Sequence, residues 1–238
     1  MKRYLSVLSV ISCFGVILMH SNTLFWTFSD SPTWFVANLT GHMLNFAVPI
    51  FFMISGVNLL DYRSRYTTKE YFIKRIRKTF LPFLIWSTLG VVYGMVIYNH
   101  EFGTISQFIY NIFSTRVVEY YWFFIPLFMI YLSIPIFSYI TERGILLYST
   151  DQIGSLTFPI TGWIIYPLLG YYISHYEIPK VYRLIIYTLG VIGWFMLVLG
   201  TYLLSIRAGH LVQDFMGYLN IPNVAISAAI LLFLKEAD

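Results

Sequence analysis

Six stretches of this chain, approximately residues 5–21, 41–60, 80–98, 121–140, 155–174 and 182–205, are nearly free of charge and close to the length at which a helix crosses a bilayer. A hydrocarbon core about 30 Å thick takes roughly 20 apolar helical residues, so repeated runs of this kind dictate an all-α, polytopic transmembrane helical bundle. A further run, 221–234, is shorter and adds a clipped seventh member. With 58% hydrophobic residues, 11% charged and a mean hydropathy of +0.70, the chain has the bilayer as its solvent, because a soluble domain carries about a quarter of its residues as charges. Neither repeats nor low-complexity linkers interrupt it, and residues 1–238 read as one integral-membrane domain.

The distribution of charge says more than the net +4. Alternating the spans from an inside amino terminus places Lys2, Arg3, the segment 61–79, Arg143 and Arg207 on the cytoplasmic side, eleven of the 15 cations. Seven of these (Arg63, Arg65, Lys69, Lys74, Arg75, Arg77 and Lys78) sit in the one segment after the second span, as the positive-inside bias requires of a short cytoplasmic loop. The first span follows Met1-Lys2-Arg3 without a small-residue cleavage pattern and reads as a retained helix. Outside, 21–40 carries no cation and 99–120 carries Arg116 alone. Within the latter, Ile105, Phe108, Ile109, Ile112 and Phe113 recur at helical spacing, the pattern of a helix lying in the interface. So modest a charge argues against a nucleic-acid partner. The single cysteine, Cys13, lies inside an apolar run, excludes an intrachain disulfide or a cysteine-based zinc cluster, and reads as a small core side chain. No metal site and no bound cofactor is expected.

An ionisable side chain in hydrocarbon is costly enough that it faces the bundle interior, a water-filled cavity or the interface. His20, at the outer end of the first span, is the one to weigh. Ser9, Ser12, Cys13, Val16 and His20 share one face of that helix, a small and partly polar face expected to pack on its neighbours and to turn His20 inward. One reading makes His20 an interfacial residue among headgroups and water. The other makes it a general base, since imidazole has an unperturbed pKa near neutrality and can take a proton from a hydroxyl nucleophile. Periodicity does not choose between them. In the second span, Asn45, Pro49, Ser55 and Gly56 fit either a kinked helix lining a polar cavity or plain helix packing. Asn45, Ser55 and Trp122 are the cavity-lining candidates. Gly90 and Gly94 form a GxxxG pair that reads as close packing. Arg75 and Lys78 lie three apart in the run Lys74-Arg75-Ile76-Arg77-Lys78, beside the expected amino terminus of the third helix, where free N–H groups favour an anion. That run either fixes topology and meets anionic lipid, or clamps a diphosphate.

The segments 4–20 ending in His20, 48–56 (Val-Pro-Ile-Phe-Phe-Met-Ile-Ser-Gly), 74–87 beginning Lys-Arg-Ile-Arg-Lys, 121–135 and 166–172, in this order along nearly the whole chain, resemble the membrane acyltransferase 3 family. Its members are integral-membrane O-acyltransferases that modify bacterial surface glycans. The resemblance implies transfer of an acyl group, commonly acetyl, from cytoplasmic acetyl-CoA or another acyl-CoA to a hydroxyl of a cell-surface polysaccharide or lipid-linked sugar. It also implies residence in the bacterial plasma membrane with the amino terminus in the cytoplasm. His20 falls on the family's essential histidine. Arg75 and Lys78 fall on its Arg-x-x-Arg element and would hold acyl-CoA. Lys78 keeps the charge of the second arginine without its bidentate fork. The family's arginine eleven residues before the histidine is replaced by Ser9. Family members run on through further helices, so the sequence reads as a chain shortened at its carboxyl terminus. The competing reading is a non-catalytic membrane protein, either a glycan-precursor transporter or an inactive fragment. Transporters commonly show inverted repeats and charges within spans, and neither is evident in the sequence.

Overall fold

The computed structural model describes residues 2–99, 103–115, 118–142 and 158–238. Arg116, Arg143 and the first residues of the expected fifth span lie outside them. The described residues form ten α-helices and no strand: α1 (Arg3–Ser21), α2 (Pro32–Leu44), α3 (Ala47–Leu59), α4 (Thr68–Arg75), α5 (Leu81–Tyr98), α6 (Ile105–Ser114), α7 (Phe124–Glu142), α8 (Phe158–His175), α9 (Lys180–Ala208) and α10 (Ile221–Glu236). Five stretches are long and apolar enough to cross a membrane: Arg3–Ser21, Pro32–Ser64, Thr68–Tyr98, Tyr120–Tyr139 and Lys180–Ala208. α8 is an 18-residue apolar helix, and α10 is short at 16 residues. The side chains left exposed on these helices are large and apolar, among them Val10, Phe14 and Ile17 on α1 and Leu189, Ile192 and Phe195 on α9. In water such surfaces would be an aggregation hazard; in lipid they are solvated.

The chain divides into two compact units, Met1–Leu59 with Thr161–Asp238, and Leu60–Ile160. In the first unit α2 descends along α1. The Asn22 amide donates to the Ala37 carbonyl at 2.7 Å, while a Cβ on Gly15 would stand 3.7 Å from Leu44 and 3.1 Å from Ala47. A serine side chain starts α2: Ser31 accepts from the Trp34 N–H at 3.2 Å, and Pro32 follows in the first turn. α2 and α3 are one membrane span broken at Asn45 and Phe46. The cause is Pro49, which brings no N–H to the carbonyl of residue 45 and crowds it with its ring. α3 and α8 meet backbone to backbone at Gly56 and Gly170, where a Cβ on Gly56 would come 2.0 Å from the Pro167 carbonyl oxygen and one on Gly170 2.4 Å from that of Met53.

One expectation of the span count is corrected within this unit. The Lys2 ammonium donates to the Ser174 carbonyl at 2.6 Å and the Tyr4 hydroxyl to the Ser174 hydroxyl at 2.8 Å. The carboxyl end of α8 therefore lies beside the amino end of α1. Lys235 donates to the Tyr176 carbonyl at 2.9 Å, and Arg183 pairs with Glu236 at 2.7 Å, so the start of α9 and the end of α10 gather there too. α9 rises 1.5 Å per residue over its 29 residues, roughly 43 Å, which carries Arg207 to the opposite end. Simple alternation had put Arg207 with Lys2 and Lys180 against it; the contacts reverse both. Lys2, Arg3, Lys180, Arg183 and Lys235 share one end, a sharper one-sided bias than the count produced. In a Cys13→Ser background, an impermeant maleimide is expected to label Lys180→Cys from the side that exposes an amino-terminal tag and His210→Cys from the other. Labelling of His210→Cys from the tag's side would restore the alternation.

In the second unit, α4 begins with a capping box in which Thr67 and Glu70 satisfy each other's backbone N–H groups, at 2.8 Å from the Thr67 N–H to the Glu70 carboxylate. The helix continues through one wide π turn, Ile76–Phe80, into α5. Pro82 supplies no N–H to the carbonyl four residues back, which accounts for the irregular turn. Phe80, Phe83, Phe124 and Phe128 pack ring on ring, with centroids 5.0–5.9 Å apart in the pairs Phe80–Phe128, Phe83–Phe124, Phe83–Phe128 and Phe124–Phe128. Of the Gly90 and Gly94 pair, Gly90 packs against a side chain outside the helices, where a Cβ would meet a Val118 methyl at 2.6 Å. α6 forms over the expected residues, with its own capping box at Thr104 and Gln107. It buries Ile112 and leaves Ile105, Ile109, Tyr110 and Phe113 exposed.

Candidate functional site

The polar chemistry of the first unit collects toward the end at which α1 finishes. α1 buries Tyr4, Leu5, Leu8, Ser12 and Gly15 along one stripe. At 100° per residue His20 falls about a third of a turn from the centre of that stripe. It is exposed at the helix end, on the flank of α1, and is not turned inward. Cys13, expected as a core side chain, is likewise exposed on the lipid-facing side.

α2 carries the histidine that the sequence reading passed over. Trp34, Asn38, His42 and Asn45 follow one another at spacings of four, four and three, so they line a single helix face, and all four are buried. Trp34 fixes the top of this stripe: its indole N–H donates to the Phe25 carbonyl at 3.0 Å and its ring stacks on Tyr202 at 6.2 Å. Asn38, fully buried, donates to the Val198 carbonyl of α9 at 3.0 Å. His42, 2% exposed, stands edge-on to Phe25 at 5.6 Å. Asn45 sits at the α2–α3 break and donates to the Asn223 side-chain oxygen at 2.8 Å. Asn223 in turn donates to the Gly217 carbonyl at 2.8 Å, which fastens the irregular segment before α10. Of the cavity-lining candidates, Asn45 thus belongs to a polar cluster. Ser55 returns its hydroxyl to the Phe51 carbonyl of its own helix at 2.9 Å. Trp122 lies half-buried in the second unit, in the short helical turn Glu119–Phe123.

Arg75 and Lys78 also belong to the second unit, and their setting differs from expectation. The helix they occupy starts at Thr68, so the free N–H groups of a helix amino terminus are not beside them. Their surroundings differ: Arg75 is half-buried and Lys78 is exposed. The Arg75 guanidinium carbon lies 5.9 Å from the Tyr71 ring and 5.5 Å from the Tyr131 ring, within cation–π range of both. Tyr71 is itself fastened by donating to the Tyr131 carbonyl at 2.9 Å. Nearby, the Lys74 ammonium stands 3.6 Å from the Tyr66 ring centroid. These aromatic contacts hold the cations in fixed places without neutralising them.

Fold and polar cluster together define a multi-pass helical membrane protein with a histidine buried between broken helices. The model of the acyltransferase domain family, acyltransferase 3, matches residues 2–237, and the chain belongs to that family: it is a membrane acyltransferase. Comparisons with curated proteins and with solved structures gave no match.

Proposed function

We propose that this acyltransferase takes its acyl group, acetyl in the simplest case, from cytoplasmic acyl-CoA and esterifies a hydroxyl of a cell-surface polysaccharide or lipid-linked sugar. It would do so in the bacterial plasma membrane with its amino terminus in the cytoplasm. The observation that carries this reading is the division of the first unit into an end that gathers Lys2, Arg3, Lys180, Arg183 and Lys235, the last two paired with Glu177 and Glu236, and an opposite end that holds His20, His42, the buried amides and, among cations, Arg207. Such a division suits an anionic donor on one side and a neutral hydroxyl acceptor on the other. His20, exposed where α1 ends, is the general base. As the hydroxyl oxygen attacks the thioester carbonyl, the imidazole takes its proton; the new C–O bond replaces the C–S bond, and the departing CoA thiolate recovers the proton from the imidazolium. Arg75 and Lys78 bind the CoA phosphates as charge-assisted donors, Arg75 with its guanidinium already oriented by the two tyrosine rings.

Membrane vesicles holding the protein are expected to move label from acetyl-CoA into a glycan fraction. No transfer overturns the reading, and flux of a glycan precursor without CoA would replace it with transport. Arg75→Ala and Lys78→Ala are each expected to raise the KM for acetyl-CoA about tenfold, the loss of one charge-assisted contact, while kcat stays within about twofold. Steady-state transfer rates measured against acetyl-CoA concentration check both.

A further inference from the structure

Three polar atoms of the cluster are buried without a hydrogen-bond partner: Asn38 Oδ1, His42 Nε2 and Thr201 Oγ1. Asn38 and Thr201 are wholly buried and His42 is 2% exposed. A buried polar group without a partner forfeits its hydrogen bond to water and gains none in return, so three along one helix pair are a standing cost that packing alone gives no reason to carry. Asn38 stands between the other two: α2 and α9 run antiparallel, with Trp34 against Tyr202 and Asn38 against Val198, so Thr201 lies on the Trp34 side of Asn38 and His42 one turn to the other side. Asn38 and His42 are four residues apart on α2 and share a face. The carbonyl that Asn38 grips belongs to Val198, and Thr201 lies one turn further along the same face of α9.

A second observation concerns the chain after α9. Residues 209–220 contain no helix and fold back along α9: Val212 N–H donates to Ser205 Oγ at 3.0 Å, a Cβ on Gly200 would touch the Phe215 ring at 2.8 Å, and one on Gly193 would meet the Pro222 backbone at 3.0 Å. From residue 207 down to Gly193 is roughly 21 Å at 1.5 Å per residue. This stretch is only partly covered, and Gln213 and Asp214 are exposed on it. Irregular backbone beside a membrane helix is tolerated where it is buried in protein or faces water, never where it faces lipid. An exposed carboxylate such as Asp214 is costly in lipid, so this segment faces water beside the half of α9 that carries Thr201.

We propose that Asn38, His42 and Thr201 form the binding site for the acceptor's hydroxyl groups, entered from the aqueous side along residues 209–220. The proposal rests on the acyltransfer reading for the identity of its ligand but not for the existence of the site. The three groups carry no carboxylate and no permanent cation, so they select a neutral polyhydroxylated molecule over an anion. Asn38 Oδ1 and a neutral His42 Nε2 accept from sugar hydroxyls, and the Thr201 hydroxyl donates to one. Pro49 breaks the α2–α3 span and Pro222 stands in the first turn of α10, both close to the Asn45–Asn223 hydrogen bond. His42 positions the acceptor; His20 takes the proton.

The test has two arms. In a Cys13→Ser background, Asn38→Cys and Thr201→Cys are compared with Phe14→Cys, which faces lipid on α1, for reaction with a quaternary-ammonium methanethiosulfonate in membrane vesicles. That reagent consumes thiolate, so reaction at least about tenfold faster than Phe14→Cys, slowed by free glucose or N-acetylglucosamine, is the expected result. Rates equal to that of Phe14→Cys overturn the site; fast reaction that neither sugar slows leaves bound water alone and overturns the ligand. The second arm is kinetic. His42→Phe keeps a ring against Phe25 and is expected to lower kcat/KM for the glycan acceptor at least about tenfold, with the KM for acetyl-CoA unmoved and partial recovery in His42→Gln. Undiminished acceptor kinetics in His42→Phe overturn the proposal. Should the wild type transfer no acyl group, the acyltransfer reading fails by itself, and the labelling arm still decides the site.

Discussion

Membranes carrying His20→Ala are expected to transfer acyl groups about 10²- to 10⁴-fold more slowly than wild type, the range that a positioned general base contributes. Truncation at this position is expected to leave the fold intact. The stripe that packs α1 into the first unit is made by Tyr4, Leu5, Leu8, Ser12 and Gly15, and His20 stands outside it. Protein yield and the unfolding midpoint should therefore match wild type while turnover collapses, a separation that a packing residue does not give. His20→Gln sharpens the assignment. Glutamine offers a hydrogen bond but takes no proton at neutral pH, so it should be as inactive as alanine at position 20, whereas His42→Gln keeps part of the wild-type rate. Should His20→Ala transfer at the wild-type rate, His20 is an interfacial residue and the base lies elsewhere.

The bundle was legible in the sequence because hydrocarbon imposes one dominant pattern, and runs near 20 apolar residues can do little else. What escaped was everything decided by broken helices. The expected outer loop 21–40 has too many polar residues (Asn38, Thr40, His42 just beyond) to read as a span, yet half of it is helix α2, whose polar stripe is covered by α9 and α10. His42 and Asn45 fell inside the expected span 41–60 and Asn38 outside it, so the stripe was divided between a helix and a loop; with α2 starting at Pro32 all three share one face. The second span fitted a kinked helix and plain packing equally; the partner that decides for the break, Asn223 at the start of α10, is 178 residues away in sequence and no local signal connects them. The side on which α8 ends was likewise a counting problem: alternation assumes that every crossing is visible, and a single contact, Lys2 to Ser174, outweighs the count. For Arg75 and Lys78, the expected third helix began at residue 80, just after them. Thr67 and Glu70, a capping box plainly written in the sequence, place the start earlier.

Gly56→Ala and Gly170→Ala are expected to destabilise the first unit more than any other single methyl added to the described helices. A Cβ on Gly56 would lie 2.0 Å from the Pro167 carbonyl oxygen, 2.4 Å from its Cα and 2.5 Å from its carbonyl carbon; one on Gly170 would meet the Met53 backbone at 2.4–2.8 Å. These neighbours are main-chain atoms, so no rotamer relieves the overlap and α3 must move away from α8. The pairing is reciprocal because a Cα–Cβ bond leans toward the helix amino terminus: each glycine faces the residue three before the other. Small residues that let two backbones touch replace, in lipid, the hydrophobic drive that holds helices together in water. Overpacking of this kind costs about 3 kcal/mol, the upper part of the usual range and a large share of a domain's stability of about 5–15 kcal/mol. Gly41→Ala is the control. It adds the same methyl to a helix of the same unit, but the nearest atoms stand at 3.5–3.7 Å, ordinary contact distance, and alanine favours helix over glycine by about 1 kcal/mol. Thermal unfolding in detergent should place Gly41→Ala at or above wild type and both Gly56→Ala and Gly170→Ala well below it. A Gly56→Ala protein as stable as Gly41→Ala would mean that α3 and α8 do not touch at these glycines.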